Sequence, residues 1–334
     1  MKQADNILID KHGRNHKYLR ISLTEKCNLR CTYCMPASGI PLTPKSHLMT
    51  QDEIYEITKT FVDLGVNKVR LTGGEPLVRK DFDDIINRLA TLPIEISITT
   101  NGILIDRHID VLKKAGVHTI TVSLDSLDRE KFKHITRRNE FHKVQQNIDL
   151  LLQEGFNVKI NIVLIKDFND NEIIDFINLT QKKKIIVRFI EFMPFDGNSW
   201  DRNKLVPHQE ILSLLDYNYP LQLEKLTDEE NATAKNYRIK NYKGSFGLIS
   251  SITNPFCDSC NRIRLTADGK IKNCLFSSQE SSLLEPLRNK KSILPAIQKS
   301  IQNKHFTRGG MDTEDKINNP DLHSSNRSMI SIGG

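Results

Sequence analysis

The stretch Cys27-Asn-Leu-Arg-Cys31-Thr-Tyr-Cys34 places three cysteines within eight residues, directly after an apolar segment at 18–23 that alternates like a β-strand. A structural zinc site closes with four Cys or His ligands, and no fourth ligand follows in the next dozen residues. Thiolates also hold iron–sulfur clusters, and three thiolates on a four-iron cluster would leave one iron open to a small molecule that receives an electron. A zinc ion that borrows a distant histidine and a disulfide with a spare thiol remain open on spacing alone.

The composition indicates a globular protein with room for one large domain, or for one domain and an extension. The chain has 334 residues, of which 38% are hydrophobic. No run approaches the roughly 18 apolar residues of a membrane span, and the polar residues 1–17 lack the apolar stretch of a signal peptide. We therefore expect a cytoplasmic protein without a membrane partner.

All six cysteines fall into two groups of three, the first triad (Cys27, Cys31 and Cys34) and the second triad (Cys257, Cys260 and Cys274). In a cytosolic protein such groups indicate metal sites rather than disulfides, and a ribbon-like zinc site remains the alternative for the second triad. The net charge of +7 is consistent with an acidic partner, either a polyphosphate or a nucleic acid. No long basic run interleaved with aromatic residues favours nucleic acid, so we expect no nucleic-acid partner.

Residues 18–191 alternate predicted strands with helices, which indicates consecutive βα units around a parallel sheet. The predicted strands lie at 18–23, 66–71, 94–98, 117–124, 157–164 and 185–191. Helical segments are expected over 129–154. We divide the chain into residues 1–197 and an extension, 198–334.

The extension is expected to contain two β-hairpins, at 237–252 and 262–276, and a last helix near 293–301. A polar tail at 307–334 has little to pack, and we expect it to be mobile unless it docks.

Candidate site residues cluster where predicted strands end, because parallel βα architectures form their active sites at the carboxyl ends of the strands. The first triad follows the first strand, and Gly73-Gly74-Glu-Pro follows the second. Arg20, Arg70 and Lys159 instead interrupt otherwise apolar strands. Because unpaired buried charge is costly, these three cations predict a buried anion.

The first triad, with Tyr33 immediately before its last cysteine, resembles the motif of the radical S-adenosylmethionine (SAM) superfamily. The resemblance implies a 4Fe-4S cluster whose open iron is chelated by the amino and carboxylate groups of SAM. Gly73-Gly74 is similar to the superfamily's glycine pair, which implies that the backbone at Gly74 binds the methionine amino group, since glycines allow close approach. By the same match Met193 lies near the adenine, and Tyr33 and Ser123 are further SAM contacts.

The second triad narrows the resemblance to the family of molybdenum cofactor biosynthesis protein A, the GTP 3′,8-cyclases. The matching run is Cys257-Asp-Ser-Cys260-Asn-Arg262-Ile-Arg264-Leu-Thr-Ala-Asp-Gly269, then Cys274-Leu-Phe. The match covers about 13–276 and the terminal Gly333-Gly334. It departs from the family at Asp167, where Gly is common, and over 288–302, where it is loose.

The family resemblance implies an α/β fold, an incomplete (β/α)6 TIM-type barrel with a C-terminal extension that closes its mouth and carries a second Fe–S cluster. It implies two 4Fe-4S clusters and SAM as cofactors. The implied reaction cyclises GTP to (8S)-3′,8-cyclo-7,8-dihydroguanosine triphosphate, with the guanine on the open iron of the second cluster. The implied substrate contacts are Arg20, Arg70, Thr99, Lys159, Arg262 and Arg264. Gly333 and Gly334 are implied to reach into the barrel and to be needed for catalysis.

The resemblance also implies partners: a flavodoxin- or ferredoxin-type electron donor, the next pathway enzyme, cyclic pyranopterin monophosphate synthase, and a second copy in a homodimer. Two rival functions differ from this one. A peptide-modifying radical SAM enzyme usually has more than three cysteines in its extension, and this chain has no seventh cysteine. A zinc-stabilised nucleic-acid-binding module would be colourless and would bind RNA in a salt-sensitive way.

Overall fold

The computed structural model describes residues 7–36 and 38–333. The strands are β1 (Tyr18–Ser22), β2 (Lys68–Thr72), β3 (Glu95–Thr100), β4 (Thr119–Ser123), β5 (Asn157–Leu164), β6 (Ile186–Glu191), β7 (Leu223–Lys225), β8 (Lys235–Ile239), β9 (Ser245–Ile249), β10 (Arg262–Leu265), β11 (Lys270–Lys272) and β12 (Ser281–Ser282). The α-helices are α1 (Gln51–Asp63), α2 (Phe82–Leu89), α3 (Ile105–Lys114), α4 (Arg129–Thr136), α5 (Phe141–Gln153), α6 (Ile173–Lys182), α7 (His208–Asn218), α8 (Leu284–Arg288), α9 (Leu294–Gln302), α10 (Glu314–Asn318), α11 (Pro320–Ser324) and α12 (Met329–Ile332).

All of these strands belong to one sheet, in the order β12-β11-β10-β1-β2-β3-β4-β5-β6-β9-β8-β7. Strands β1 to β6 are parallel neighbours in chain order, which confirms the six predicted βα units and the incomplete barrel. The extension adds a parallel strand to each edge, because β10 pairs with β1 and β9 pairs with β6. The extension therefore widens the barrel wall, and residues 250–261 join its two edge strands.

Helix α1 shows how the helices attach to the sheet. It begins at the predicted capping box, where the Thr50 hydroxyl accepts from the Glu53 N–H (3.2 Å) and the Glu53 carboxylate accepts from the Thr50 N–H (2.7 Å). Its buried face includes Ile54 and Phe61. Burial of each such side chain stabilises the fold by about 1.5–3 kcal/mol.

The helical segments predicted over 129–154 are two helices, α4 and α5, with a break between them. Arg137 follows α4 with a left-handed backbone (φ +53°). Its guanidinium donates to the carbonyls of Arg30 (2.8 Å) and Met35 (3.3 Å) on the first-triad loop. The break therefore supplies a support for the cysteine loop, which helical periodicity alone could not indicate.

Asp167, the departure from the family's glycine, also has a left-handed backbone (φ +60°). Asp is one of the non-glycine residues that tolerate this region. Both predicted hairpins are present, as β8–β9 and β10–β11. No helix in the described part of the chain is long and apolar enough to cross a membrane.

The polar tail docks. It forms α10, α11 and α12, and its buried side chains include Ile317, Ile330 and Ile332. Ile317 and Ile332 belong to a second apolar cluster with Phe195 and Phe276. Few apolar residues in the tail were needed, because most of them are buried, although Leu322 is exposed.

Candidate functional site

The first triad lies on the loop after β1, at the carboxyl end of the parallel strands. Its thiols are partly buried and form no disulfide. The Leu29 N–H donates to Cys27 Sγ (3.4 Å), and Asn101 Nδ2 lies 3.9 Å from the same sulfur. Burial raises the pKa of Cys27 to about 11 and that of Cys34 to about 12. Thiolates at this site therefore need a cationic group bound among them, and three such donors fit an iron–sulfur cluster.

Gly73 and Gly74 pack against the backbone that leads into the first-triad loop. A Cβ on Gly74 would lie 2.6 Å from the Lys26 carbonyl oxygen and 2.8 Å from that of Glu25, and a Cβ on Gly73 would lie 2.7 Å from the Thr24 oxygen. The Gly74 N–H donates to the Thr24 carbonyl (2.7 Å). The glycines are thus required by contact between two loops. The contact of Gly74 with SAM stays a prediction, and an amino group, being a donor, would need the Gly74 carbonyl.

Two buried carboxylates organise the loops around the first triad. Glu75 accepts from the Asn101 N–H (2.7 Å), and Asp125 accepts from the hydroxyl of Tyr33 (2.8 Å) and the N–H of Val163 (2.8 Å). Burial raises the pKa of Glu75 to about 7 and that of Asp125 to about 6. Tyr33 is thus fixed beside the triad, while its contact with SAM stays a prediction.

A cavity of about 510 Å³ lies inside the barrel. Its wall contains eight Lys and Arg residues: Lys68, Arg308 and six called here the barrel cations, which are Arg20, Arg70, Lys159, Arg188, Arg262 and Arg264. The strand register sets Arg20 directly between Arg264 on β10 and Arg70 on β2. Like charges on adjacent strands repel. Burial and the neighbouring Arg188 and Arg70 lower the pKa of Lys159 to about 8. Only two carboxylates, Glu229 and Glu230, are among the described residues that line the cavity, so it carries an excess of positive charge that suits a polyanion.

Several polar atoms of the cavity wall are buried and have no hydrogen-bond partner among the described residues. They are Arg20 Nε, Arg188 Nε, Arg262 Nη2, Asn161 Oδ1 and Asn273 Oδ1. An unpaired buried donor or acceptor costs about 1–3 kcal/mol. The side chains of these three arginines line one cavity while each keeps an N–H group without a partner in the described structure, which indicates a site built for an anionic ligand.

Arg70 is held in place by hydroxyl groups of its neighbours. Its Nη1 donates to Thr99 Oγ1 (3.2 Å) and Thr121 Oγ1 (2.9 Å), and its Nε donates to the Tyr18 hydroxyl. Five of the six predicted substrate residues line the cavity. Thr99 does not line it and instead accepts a hydrogen bond from Arg70. A direct contact between Thr99 and substrate stays a prediction.

The second triad lies at the opposite, amino end of the parallel strands, since Cys257 and Cys260 precede β10 and Cys274 follows the antiparallel β11. All three cysteines line the cavity. Lys304 Nζ lies 3.5 Å from Cys260 Sγ. Burial opposes ionisation of Cys260, but the charges of Lys304 and Arg262 outweigh it and lower the pKa to about 6. The first triad and Gly73-Gly74 thus lie at the carboxyl ends of the strands, as predicted, whereas the second triad lies at the amino end and the barrel cations lie on the strands themselves.

The tail brings Gly333 into the barrel, between the cavity and the first triad. A Cβ on Gly333 would lie 2.5 Å from Thr72 Oγ1 and 2.9 Å from Ser22 Cβ, and its backbone is left-handed (φ +86°). Arg264 Nη1 donates to the Gly333 carbonyl (2.6 Å). Gly334 lies outside the described residues, and a catalytic role for either glycine stays a prediction.

Of the remaining predicted SAM contacts, Met193 follows β6 and lines the cavity, and Ser123 ends β4 opposite Asn161. Within residues 7–36 and 38–333, no three His, Cys, Asp or Glu side chains are arranged to hold a single metal ion. A four-iron cluster binds each cysteine through a different iron, so its ligands need not converge on one metal ion.

Sequence reasoning missed Arg188, Asn161 and Tyr18. Arg188 interrupts the apolar strand β6 in the same way that Arg70 interrupts β2, so the signal was present. Asn161 follows Lys159 by two residues and therefore faces the same side of β5. Tyr18 gave no signal, because an aromatic residue at a strand start is ordinarily a core residue.

The family model for the radical SAM superfamily matches residues 21–180, and the model for Molybdenum Cofactor Synthesis C matches residues 185–309. The chain is 45% identical to the mitochondrial GTP 3′,8-cyclase of Arabidopsis thaliana, covering 99% of this chain and 84% of that protein. It is 40% identical to the GTP 3′,8-cyclase of Listeria welshimeri, covering 98% and 99%.

The chain spans about half the length of the animal relatives that carry the name molybdenum cofactor biosynthesis protein 1. Among solved structures, Streptococcus suis SuiB bound to S-adenosylmethionine is similar in fold, with a TM-score of 0.59 and 17% identity. That match covers 86% of this chain and 67% of SuiB.

Proposed function

Since the chain belongs to the radical SAM family of GTP 3′,8-cyclases, that of molybdenum cofactor biosynthesis protein A, we propose that it converts GTP to 3′,8-cyclo-7,8-dihydro-GTP. The reaction removes the hydrogen atom from ribose C3′, joins C3′ to guanine C8, and adds one electron and one proton. The product is therefore an isomer of GTP. In this reading it is the first intermediate of molybdenum cofactor biosynthesis.

The observation that carries the proposal is the cation-lined cavity between the two cysteine triads. Bound GTP carries close to four negative charges, and the planar forks of arginine suit phosphate oxygens. The unpaired N–H groups of Arg20, Arg188 and Arg262 are donors that a triphosphate would satisfy. No other described feature explains why like charges are set side by side on β10, β1 and β2.

The first triad would hold a 4Fe-4S cluster that chelates SAM, and the second triad would hold the cluster that contacts guanine. When bound, the first cluster with SAM supplies the 5′-deoxyadenosyl radical that removes the C3′ hydrogen. The chain's own residues do the rest. Arg137 and Glu75 fix the loops around the first triad, and Lys304 supplies positive charge at Cys260. The cavity orients ribose and base, which is one of the main contributions a protein makes to such chemistry.

The tail completes the enclosure of the reacting atoms in this proposal. Gly333 sits against Ser22 and Thr72, between the barrel cations and the first triad. A segment there encloses the carbon radical and keeps out oxygen and external reductant, which would otherwise quench it. Gly333 and Gly334 are therefore proposed to act in catalysis rather than in folding.

The proposal is tested by anaerobic incubation of the iron-loaded protein with SAM, GTP and dithionite, followed by chromatography and mass analysis of the nucleotides. We expect an isomer of GTP and an equivalent of 5′-deoxyadenosine, with Arg70→Ala forming little of either. Recovery of unchanged GTP alongside cleaved SAM would show that the substrate is another molecule.

We further propose the partners that the family implies: a flavodoxin- or ferredoxin-type electron donor, cyclic pyranopterin monophosphate synthase and a second copy in a homodimer. The proposed compartment is the cytoplasm. The Arabidopsis relative is named a mitochondrial protein, so the compartment differs within the family.

A further inference from the structure

The segment that carries Gly333 has little regular structure that could hold it in place. Its last helix, α12, has four residues, and an isolated helix of that length is unstable in water. The tail nevertheless places Gly333 where a Cβ would be 2.5 Å from Thr72 Oγ1. Side chains just before α12 must therefore fix its entry into the barrel.

Arg327, immediately before α12 and its N-cap Ser328, makes the largest set of contacts in this segment. Its Nη1 and Nη2 donate to the two oxygens of Asp268 (3.0 and 2.8 Å). Its Nε and Nη2 also donate to Glu280 Oε2 (3.0 and 2.7 Å). Glu25 Oε1 lies 4.0 Å from Nη1. A fork that engages two carboxylates at once fixes orientation as well as position.

The three carboxylates come from separate parts of the site. Glu25 precedes the first triad, Asp268 is in the turn of the β10–β11 hairpin, and Glu280 follows the second triad. Their side chains are 6%, 12% and 12% exposed, and that of Arg327 is 21% exposed. Because these side chains are mostly buried, the ion pairs of Arg327 with Asp268 and Glu280 should stabilise the tail more than an exposed ion pair would.

A second anchor reinforces the first. The preceding residue, Asn326, accepts a hydrogen bond from the buried Lys272 Nζ (2.8 Å) and donates to the Leu275 carbonyl (3.0 Å), next to Cys274. Arg264 then holds the Gly333 carbonyl at the far end. The tail is thus attached at both ends of α12. Arg264 lines the cavity, whereas Arg327, Asp268 and Glu280 do not.

We propose that Arg327 is a positioning residue for the tail: its ion pairs with Asp268 and Glu280 hold Gly333 in the barrel. The inference rests on the proposed function of the tail, but the anchor itself is a statement about structure. Arg327 acts through Gly333 and need not touch substrate.

The test compares Arg327→Gln and Arg327→Lys with a matched control, Arg288→Gln. Arg288 forms a similar fork with Glu53 (2.7 and 3.1 Å) between the extension and α1, far from the tail in sequence. Two quantities are measured on the iron-loaded protein: hydrogen exchange of residues 328–333 by mass spectrometry, and cyclised GTP formed per 5′-deoxyadenosine.

In Arg327→Gln we expect tail exchange to be roughly tenfold faster or more, because charge-assisted hydrogen bonds are lost, with exchange in β1 to β6 unchanged. Cyclised product per 5′-deoxyadenosine should fall by a similar factor, Arg327→Lys should be intermediate, and Arg288→Gln should match the wild type. Should Arg327→Gln fail to fold, Asp268→Asn replaces it and should loosen the same residues. Wild-type exchange in the tail of these variants would overturn the proposal. Absence of cyclised GTP from the wild type would instead refute the proposed function and leave the exchange comparison valid.

Discussion

Buried arginines in this chain differ in whether their N–H groups have partners inside the protein. Arg14 donates to Asp10 (2.7 Å) and to the carbonyls of Cys257 (2.8 Å) and His305 (2.9 Å). Such a residue is satisfied by the fold and stabilises it. Arg20 and Arg188 keep a buried Nε without a partner in the described structure. Because an unsatisfied buried donor is costly, the second kind marks a ligand site.

The first prediction concerns the barrel cations. Arg188→Ala and Arg70→Ala should each weaken GTP binding by about 1.5–3 kcal/mol per charged hydrogen bond removed, or about ten- to a hundredfold in Kd. SAM affinity should hardly change. Calorimetric titration measures both ligands, and Arg238→Ala, which removes an exposed arginine paired with Glu224, is the control. Equal weakening of both ligands would mean that these arginines are structural.

The second prediction concerns the unequal thiols. Lys304 and Arg262 lower the pKa of Cys260 to about 6, whereas burial raises that of Cys27 to about 11. In cluster-free, reduced protein at neutral pH, Cys260 is therefore a thiolate and should be alkylated by iodoacetamide well before Cys27. Lys304→Met should slow the alkylation of Cys260, because it removes one of the two cations that lower the pKa of this thiol. Peptide mass mapping over time gives the rates, and equal rates for the two cysteines would contradict the electrostatic account.

At the scale of elements, two loops meet at the carboxyl end of β1 and β2 with almost no space between them. The turn at Gly73-Gly74 approaches the backbone of 24–26 so closely that no side chain fits. The same 24–26 segment leads directly into the first triad. A change in the packing of the glycine turn should therefore also move the cysteines of the first triad.

Gly74→Ala tests that coupling. The added Cβ would meet backbone oxygens at 2.6 and 2.8 Å, so the loop must shift. We expect iron per chain after anaerobic reconstitution to fall from about eight to about four, the content of one 4Fe-4S cluster. Gly116→Ala is the control: no atom lies within 4 Å of its Cβ, and only its left-handed φ of +68° is strained, at about 1–2 kcal/mol. Full iron content in Gly74→Ala would contradict the claim that the packing of the glycine turn sets the geometry of the cysteine loop.

How much of this could be predicted from the sequence depends on whether the signal is local. The strands at β1 to β6, the two hairpins and the cysteine groups have local patterns and were predicted. The pairing of β10 with β1 and of β9 with β6 depends on contacts between distant segments, so no local pattern reports it. The same holds for the Arg137 support and the Arg327 ion pairs, whereas the apolar residues at 329–332 are a local pattern that indicates docking of the tail.

At the scale of the whole molecule, the two triads lie at opposite ends of the parallel strands of the sheet, and the barrel cations lie between them. A ligand in the cavity can therefore face one triad with its base and the other with its ribose. The tail enters between the cations and the first triad, where the Gly333 carbonyl accepts from Arg264. The barrel cations, the second triad and the tail residue Met329 line one cavity, and Gly333 packs against Ser22 and Thr72 at the strand ends that lead to the first triad.

Deleting Gly333 and Gly334 should separate folding from chemistry. The apolar contacts of Ile330 and Ile332 remain in the shortened chain. Melting temperature, iron content and GTP affinity should thus stay near the wild-type values, while cyclisation of GTP should collapse. Scanning calorimetry, iron assay and product analysis measure the three properties. A shortened protein that cyclises GTP at the full rate would show that the glycine pair has no catalytic role.

The central claim is that GTP lies between the triads with its ribose C3′ exposed to the radical generated at the first triad. The most direct measurement uses GTP deuterated at C3′, with GTP deuterated at C2′ as the control, under anaerobic turnover. The account predicts that deuterium appears in 5′-deoxyadenosine from the C3′-labelled substrate and not from the control. Unlabelled 5′-deoxyadenosine from both substrates would contradict it.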